Sequence, residues 1–152
     1  MNIKISPGAS SLLLLAPLRR HSDAGLLLLR VLVGAFLVWG VFDNIISQER
    51  MQEFVDFLAQ FAFPIPETMA RLSVWAQFFV GLAFVAGLLT RWAGLICAIN
   101  FIVALIMVDA AGGIRASFPS ACLIVIGIYL ALHGAGRFSL DYVLESRGKQ
   151  KI

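Results

Sequence analysis

The fold class this sequence predicts is an all-α membrane protein: a four-transmembrane-helix bundle with an amphipathic interfacial helix between helices one and two. Three observations predict it. Of the 152 residues, 60% are hydrophobic and only 14% charged, with a mean hydropathy of +0.89. A soluble domain carries about a quarter charged residues, because its surface faces water. At this length it would bury only about two-thirds of its surface, too little to hide so many apolar side chains. Second, four stretches approach the roughly 20 apolar residues that span a hydrocarbon core. Third, the basic residues sort to one side of those four stretches.

Residues 1–23 form an N-terminal segment ahead of a transmembrane domain over 24–142. The run Leu12-Leu13-Leu14-Leu15 is shorter than a signal h-region and is followed by Arg19-Arg20 in place of a cleavage site. No cleavable signal is therefore expected, and the first apolar span directs insertion. A weaker interfacial segment is expected within the first twenty-odd residues. The first span is predicted over 24–46. From Gln48 to Gln60 charged and apolar residues alternate, and Met51, Phe54, Val55, Leu58 and Phe61 recur at the spacing of one helical face. That pattern predicts an amphipathic helix lying on the membrane surface, as a connector or as a lid over an outward pocket. Pro64 and Pro66 end it, and Pro66-Glu67 suits the first turn of the next helix. The second span is predicted over 71–89, the third over 92–109 after a Thr90-Arg91 turn, and the fourth over 118–135, completed by Gly134-Ala135. The polar tail over 143–152 is expected to fray.

Four spans put both termini on one side with Lys4, Arg19, Arg20, Arg30, Arg91, Arg137, Arg147, Lys149 and Lys151, nine of the twelve basic residues. Only Arg50, Arg71 and Arg115 lie opposite. The side rich in Lys and Arg is the cytoplasmic one. The net charge of +3 follows from this bias and does not indicate nucleic acid. Trp39 and Trp75 then fall near the outer interface and Trp92 near the inner one.

Polar residues inside a bilayer are costly. The outer group comprises Asp43 and Asn44, Gln77, and Asp109. One reading is a small pocket beneath the amphipathic helix, bordered also by Trp39 and Trp75, with carboxylates that bind a proton or cation and Gln77 bonding a carbonyl-bearing ligand. The other is that the carboxylates end their helices in water, while Gln77 and Asn100 bond neighbouring helices. Arg30 is expected to snorkel to the headgroups, and His133 lies near a surface. Gly34, Gly40, Gly81 and Gly87, with Ala83, suggest close helix packing.

Several chemistries lack their residues. Cys97 and Cys122 are predicted roughly 15 Å apart in height, beyond the roughly 7 Å reach of a disulfide, and no C-x-x-C exists. Haem has no second transmembrane histidine. No nucleotide, flavin or zinc motif occurs, and two carboxylates without histidine favour at most a weakly held hard cation. No catalytic residue and no metal ligand is assigned.

With these residues placed, the chain resembles the DoxX family of small four-helix bacterial membrane proteins over about Leu26 to Tyr142. Helix one carries Arg30-x3-Gly34-x5-Gly40. Helix two reads Gln77-x3-Gly81-x5-Gly87-Leu88-Leu89-Thr90-Arg91, similar to the family's E-x-x-G-G…G-x-x-T-R. The ending Gly134-Ala135-Gly136-Arg137-Phe138-Ser139-Leu140-Asp141 is similar to G-x-G-x-x-S-L-D. Asp43-Asn44 stands where the family often has lysine, and Gln77 where it has glutamate. The resemblance implies a multi-pass protein of the bacterial inner membrane. Relatives include a subunit of a thiosulfate:quinone oxidoreductase and a component of a membrane-associated oxidoreductase complex. It therefore implies a small subunit or anchor of a membrane redox system, contacting quinone at the outer pocket. Arg91, Arg137 and Asp141 would dock a soluble or membrane oxidoreductase. The alternative is a non-enzymatic scaffold or small-solute carrier, and a carrier would call for a homo-oligomer.

Overall fold

The computed structural model describes residues 15–149, and the part of the expected N-terminal interfacial segment over 1–14 lies outside them. After a 3-10 turn at Ala16–His21 come α1 (Ser22–Ile46), α2 (Gln48–Gln60), α3 (Pro66–Ala86) and α4 (Thr90–Met107). A second 3-10 turn, Asp109–Gly112, leads into α5 (Gly113–His133) and then α6 (Leu140–Lys149). The described residues contain no strand. α1, α3, α4 and the segment Asp109–His133 are each long and apolar enough to cross a membrane.

Local chemistry sets the boundaries. Ser47 both ends α1 and caps α2: its N–H donates to the Asp43 carbonyl at 2.9 Å, and its hydroxyl accepts from the Arg50 N–H at 3.3 Å. α2 occupies the predicted stretch, with Val55 and Leu58 buried against Ala70 of α3 and Met51, Phe54, Phe63 and Met69 packed around them. Its exposed face carries the Arg50–Glu53 pair, and that hydrogen bond raises the Arg50 pKa above its ordinary value. α3 starts at Pro66, earlier than the apolar window at residue 71 suggests. Proline's fixed φ suits a first turn, and Glu67 bridges to Arg71 at 2.7 Å. It stops at Ala86 because Gly87 turns left-handed at φ 65°.

α5 corrects the predicted fourth span in both directions. It begins at Gly113, although Pro119 lies inside it. The Ser117 hydroxyl donates towards the carbonyls of Asp109 at 3.1 Å and Gly113 at 3.0 Å, holding the first turn ahead of the proline. It ends at His133, since Gly134 at φ 88° leaves the helical region. The tail is likewise helical through Lys149 where fraying was expected. The Ser139 hydroxyl accepts from the Tyr142 N–H at 3.2 Å and starts α6 as an N-cap does.

Two glycine pairs allow the spans to meet. α1 crosses α3 where Gly34 faces Gly81: a Cβ on Gly34 would lie 2.6 Å from the Gly81 carbonyl oxygen, and one on Gly81 would lie 2.7 Å from that of Gly34. α4 crosses α5 in the same way at Gly94 and Gly127, with 2.5 Å and 2.7 Å. Backbones approach this closely only where no side chain intervenes. Gly40, expected to pack, has nothing within 4 Å of its Cβ position. One core joins both pairs: Leu26, Val33, Leu37, Val80, Phe84, Ala93, Cys97, Leu123 and Leu130. Side chains such as Phe36, Phe79, Ile106 and Leu132 point outward and stay exposed, which suits a lipid solvent.

Candidate functional site

The two ends of the bundle hold different polar arrangements. At the α2 end a cavity of about 500 Å³ opens between α3 and α4, roofed by Phe54, Phe57 and Leu58 of α2. Met69, Leu72, Ile96 and Ile99 make most of its wall apolar. Against that wall stand five polar side chains: Ser73, Gln77, Asn100, Asp109 and Ser120.

These five are bonded mainly to each other. Gln77 Nε2 donates to the Ser73 hydroxyl at 3.1 Å, and that hydroxyl donates to Asn100 Oδ1 at 3.0 Å. Ser73 and Gln77 are one helical turn apart, so they share a face. The chain uses the nitrogen of Gln77 and the oxygen of Asn100, leaving Gln77 Oε1 and Asn100 Nδ2 for another partner. Across the cavity the Ser120 hydroxyl donates to an Asp109 carboxylate oxygen. The wall thus offers amide donors and acceptors beside a carboxylate, in an otherwise oily space.

The structure separates the six residues singled out for the pocket. Gln77 and Asp109 line it together. Trp39, 84% exposed, lies on the outer face of α1. Trp75 stacks on Phe79 at 5.6 Å and meets Phe78 edge-on, on the outside of α3. Asp43 is exposed, and its Oδ1 accepts the adjacent Asn44 N–H at 2.9 Å. Asn44 Nδ2 donates to the Arg50 carbonyl at 3.1 Å, tying the end of α1 to α2. Ser73 and Ser120 were not anticipated. The signal for Ser73 was its i, i+4 spacing to Gln77, whereas Ser120 on α5 had none.

At the α6 end Arg91, Arg137 and Asp141 border one cleft of about 370 Å³. Two of them hold helix ends. Asp141 Oδ1 accepts the Leu89 N–H at 2.7 Å and Oδ2 the Thr90 N–H at 2.9 Å, capping α4. The Asp141 N–H donates in turn to the Gly87 carbonyl at 2.9 Å. Leu89 sits at φ 50°, a region a branched apolar residue rarely enters, and this bond helps hold it there. Arg91 Nη1 donates to the carbonyls of Ala131 at 3.0 Å and Leu132 at 2.6 Å, closing the end of α5. The Arg137 N–H donates to Asp23 Oδ1 at 3.3 Å.

Arg30 does not snorkel to the headgroups. It is 0% exposed and turns into the bundle, where Nη2 donates to the Phe138 carbonyl at 2.5 Å and Nη1 to that of Phe84 at 3.4 Å. The Phe138 carbonyl, in the chain before α6, gains its donor from the guanidinium, while the Phe84 carbonyl at the end of α3, which also accepts the Gly87 N–H at 3.3 Å, gains a second one. The opening arginine, the Thr90-Arg91 turn and the Ser-Leu-Asp ending therefore act together, as one set of ties across a single end of the bundle.

The sequence model of the DoxX family matches residues 25–110, which run from α1 through α4. No curated protein and no solved structure matches the chain. The chain belongs to the DoxX family.

Proposed function

We propose that this protein is a small inner-membrane subunit of a redox system that holds a quinone-type ligand in the cavity beneath α2. The observation that carries this reading is the cavity itself, an oily chamber with amide and carboxylate groups gathered on one side. A quinone presents a flat apolar ring with a carbonyl at each end, and ligand sites of that kind are mostly apolar with a few polar groups fixing orientation. In this reading Asn100 Nδ2 donates to one carbonyl, Gln77 holds Asn100 in place through Ser73, and the Asp109 carboxylate accepts from a hydroxyl at the other end when the ligand is in its quinol form. α2 lies on the outer membrane surface and roofs the chamber, with its charged face in water. Because nine of the twelve basic residues fall on the termini's side of the four spans in the sequence, both termini in this reading lie in the cytoplasm. There a redox partner docks over Arg91, Arg137 and Asp141.

The test is extraction of the protein purified in mild detergent, followed by mass spectrometry for quinone. Co-purified quinone is expected, and Gln77→Ala is expected to lower its occupancy at least severalfold while the bundle stays folded. A ligand-free protein that binds no quinone analogue, together with unchanged membrane redox activity on deletion, would overturn the proposal in favour of a scaffold.

A further inference from the structure

The cleft at the α6 end holds no quinone in that reading, and its chemistry is different from that of the cavity beneath α2. Arg91 forms one wall, held rigid by its bonds to the carbonyls closing α5. Arg137 and His133 border the same space. The ion pairs among the described residues are Arg50–Glu53 and Arg71–Glu67, so neither Arg91 nor Arg137 has a carboxylate partner there. Asp141 also faces the cleft, but both its oxygens are engaged by N–H groups of α4. Glu145, one turn along α6, is the remaining acid in the lining.

The cleft also lies where two spans leave the membrane, at the start of α4 and the end of α5. Trp92, 67% exposed, and the half-exposed Tyr142 stand at its edge. Exposed tryptophan and tyrosine at span ends mark the headgroup level. Leu132, the residue before His133, is exposed. Basic pockets between spans at this depth suit anionic lipid headgroups, and a guanidinium can face phosphate with two parallel donors.

We infer that this cleft binds the phosphate of an anionic phospholipid, with Arg91 and Arg137 facing the phosphate and the acyl chains running along Trp92 and Leu132. Arg91 is the fixed element, since its guanidinium is pinned to α5. Arg137 is the adjustable one, because its backbone N–H is anchored to Asp23 while its side chain is exposed. The inference is independent of whether the cavity beneath α2 holds quinone.

The experiment is native mass spectrometry of the full chain from micelles holding equal amounts of phosphatidylglycerol and phosphatidylcholine. The adduct ratio should favour phosphatidylglycerol. Arg137→Gln should reduce that preference about fivefold, the factor one basic side chain contributes at an anionic surface. Arg137→Lys should largely keep it, Glu145→Gln should raise it, and Arg115→Gln at the opposite end should leave it unchanged. An equal drop in Arg115→Gln, or no drop in Arg137→Gln, would overturn the inference. So would complete displacement of the lipid by millimolar inorganic phosphate, which would mark the cleft as a site for a soluble anion.

Discussion

The two ends of this bundle both carry polar side chains and put them to different uses. At the α6 end, Arg30, Arg91 and Asp141 bond to backbone groups at and between helix termini. At the α2 end, Ser73, Gln77, Asn100, Asp109 and Ser120 bond to one another and face a cavity. The first arrangement closes a fold, and the second keeps capacity for a ligand. A polar residue within a membrane span is therefore informative only once its partner is known. A backbone carbonyl argues for architecture, whereas a second side chain beside open space argues for binding.

The contrast can be broken at its strongest point. Arg30→Met removes the donor to the Phe138 carbonyl and one of the two donors to that of Phe84. It should cost about 3 kcal/mol, the upper end of the range of about 1–3 kcal/mol for a group left unpartnered. The check is thermal unfolding in detergent, and a variant as stable as the native protein would show that the ties do not hold this end. Next come the crossings. Gly94→Val places methyl groups into the Gly127 backbone and should destabilise by about 2 kcal/mol, as overpacking does. Gly40→Ala on the open face of α1 should instead be neutral or slightly stabilising, since alanine is the better helix former. A smaller effect, about 1 kcal/mol, is expected of Asp141→Ala, which uncaps α4. Hydrogen exchange at Leu89 and Thr90 should rise in that variant while exchange around Gln77 stays unchanged. Parallel loss at both ends would mean that the two arrangements are coupled.

How much of this was legible in the sequence depended on whether a helix has two faces. α2 was read end to end, because its charged and apolar residues alternate and define a face. The spans were located but not oriented. α1 is apolar all round, so its pattern did not reveal that Leu26, Arg30, Val33 and Leu37 share the buried side. Arg30 was accordingly assigned to the surface. The sequence places the start of α5 five residues late, because Gly112-Gly113 and Arg115 resemble a loop. The Ser117 bonds that stabilise its start depend on the 3-10 turn before it. The pocket is legible only in part: Gln77 and Asp109 are polar in apolar windows and line it, but Trp39, Asp43, Asn44 and Trp75 lie outside it for reasons visible only in the packing.

The Asp141 tie also bears on how the protein is made. It completes a turn whose residues emerge from the ribosome about fifty positions earlier, the separation being 52 for Leu89 and 51 for Thr90. Until those later residues arrive, the first turn of α4 lacks its cap and Arg30 lacks the Phe138 carbonyl. Biosynthesis thus proceeds through an inserted but unfastened bundle, and fastening waits for the segment that follows the last span. A nascent chain stopped before Asp141 would keep its four apolar spans but lack the cap on the first turn of α4.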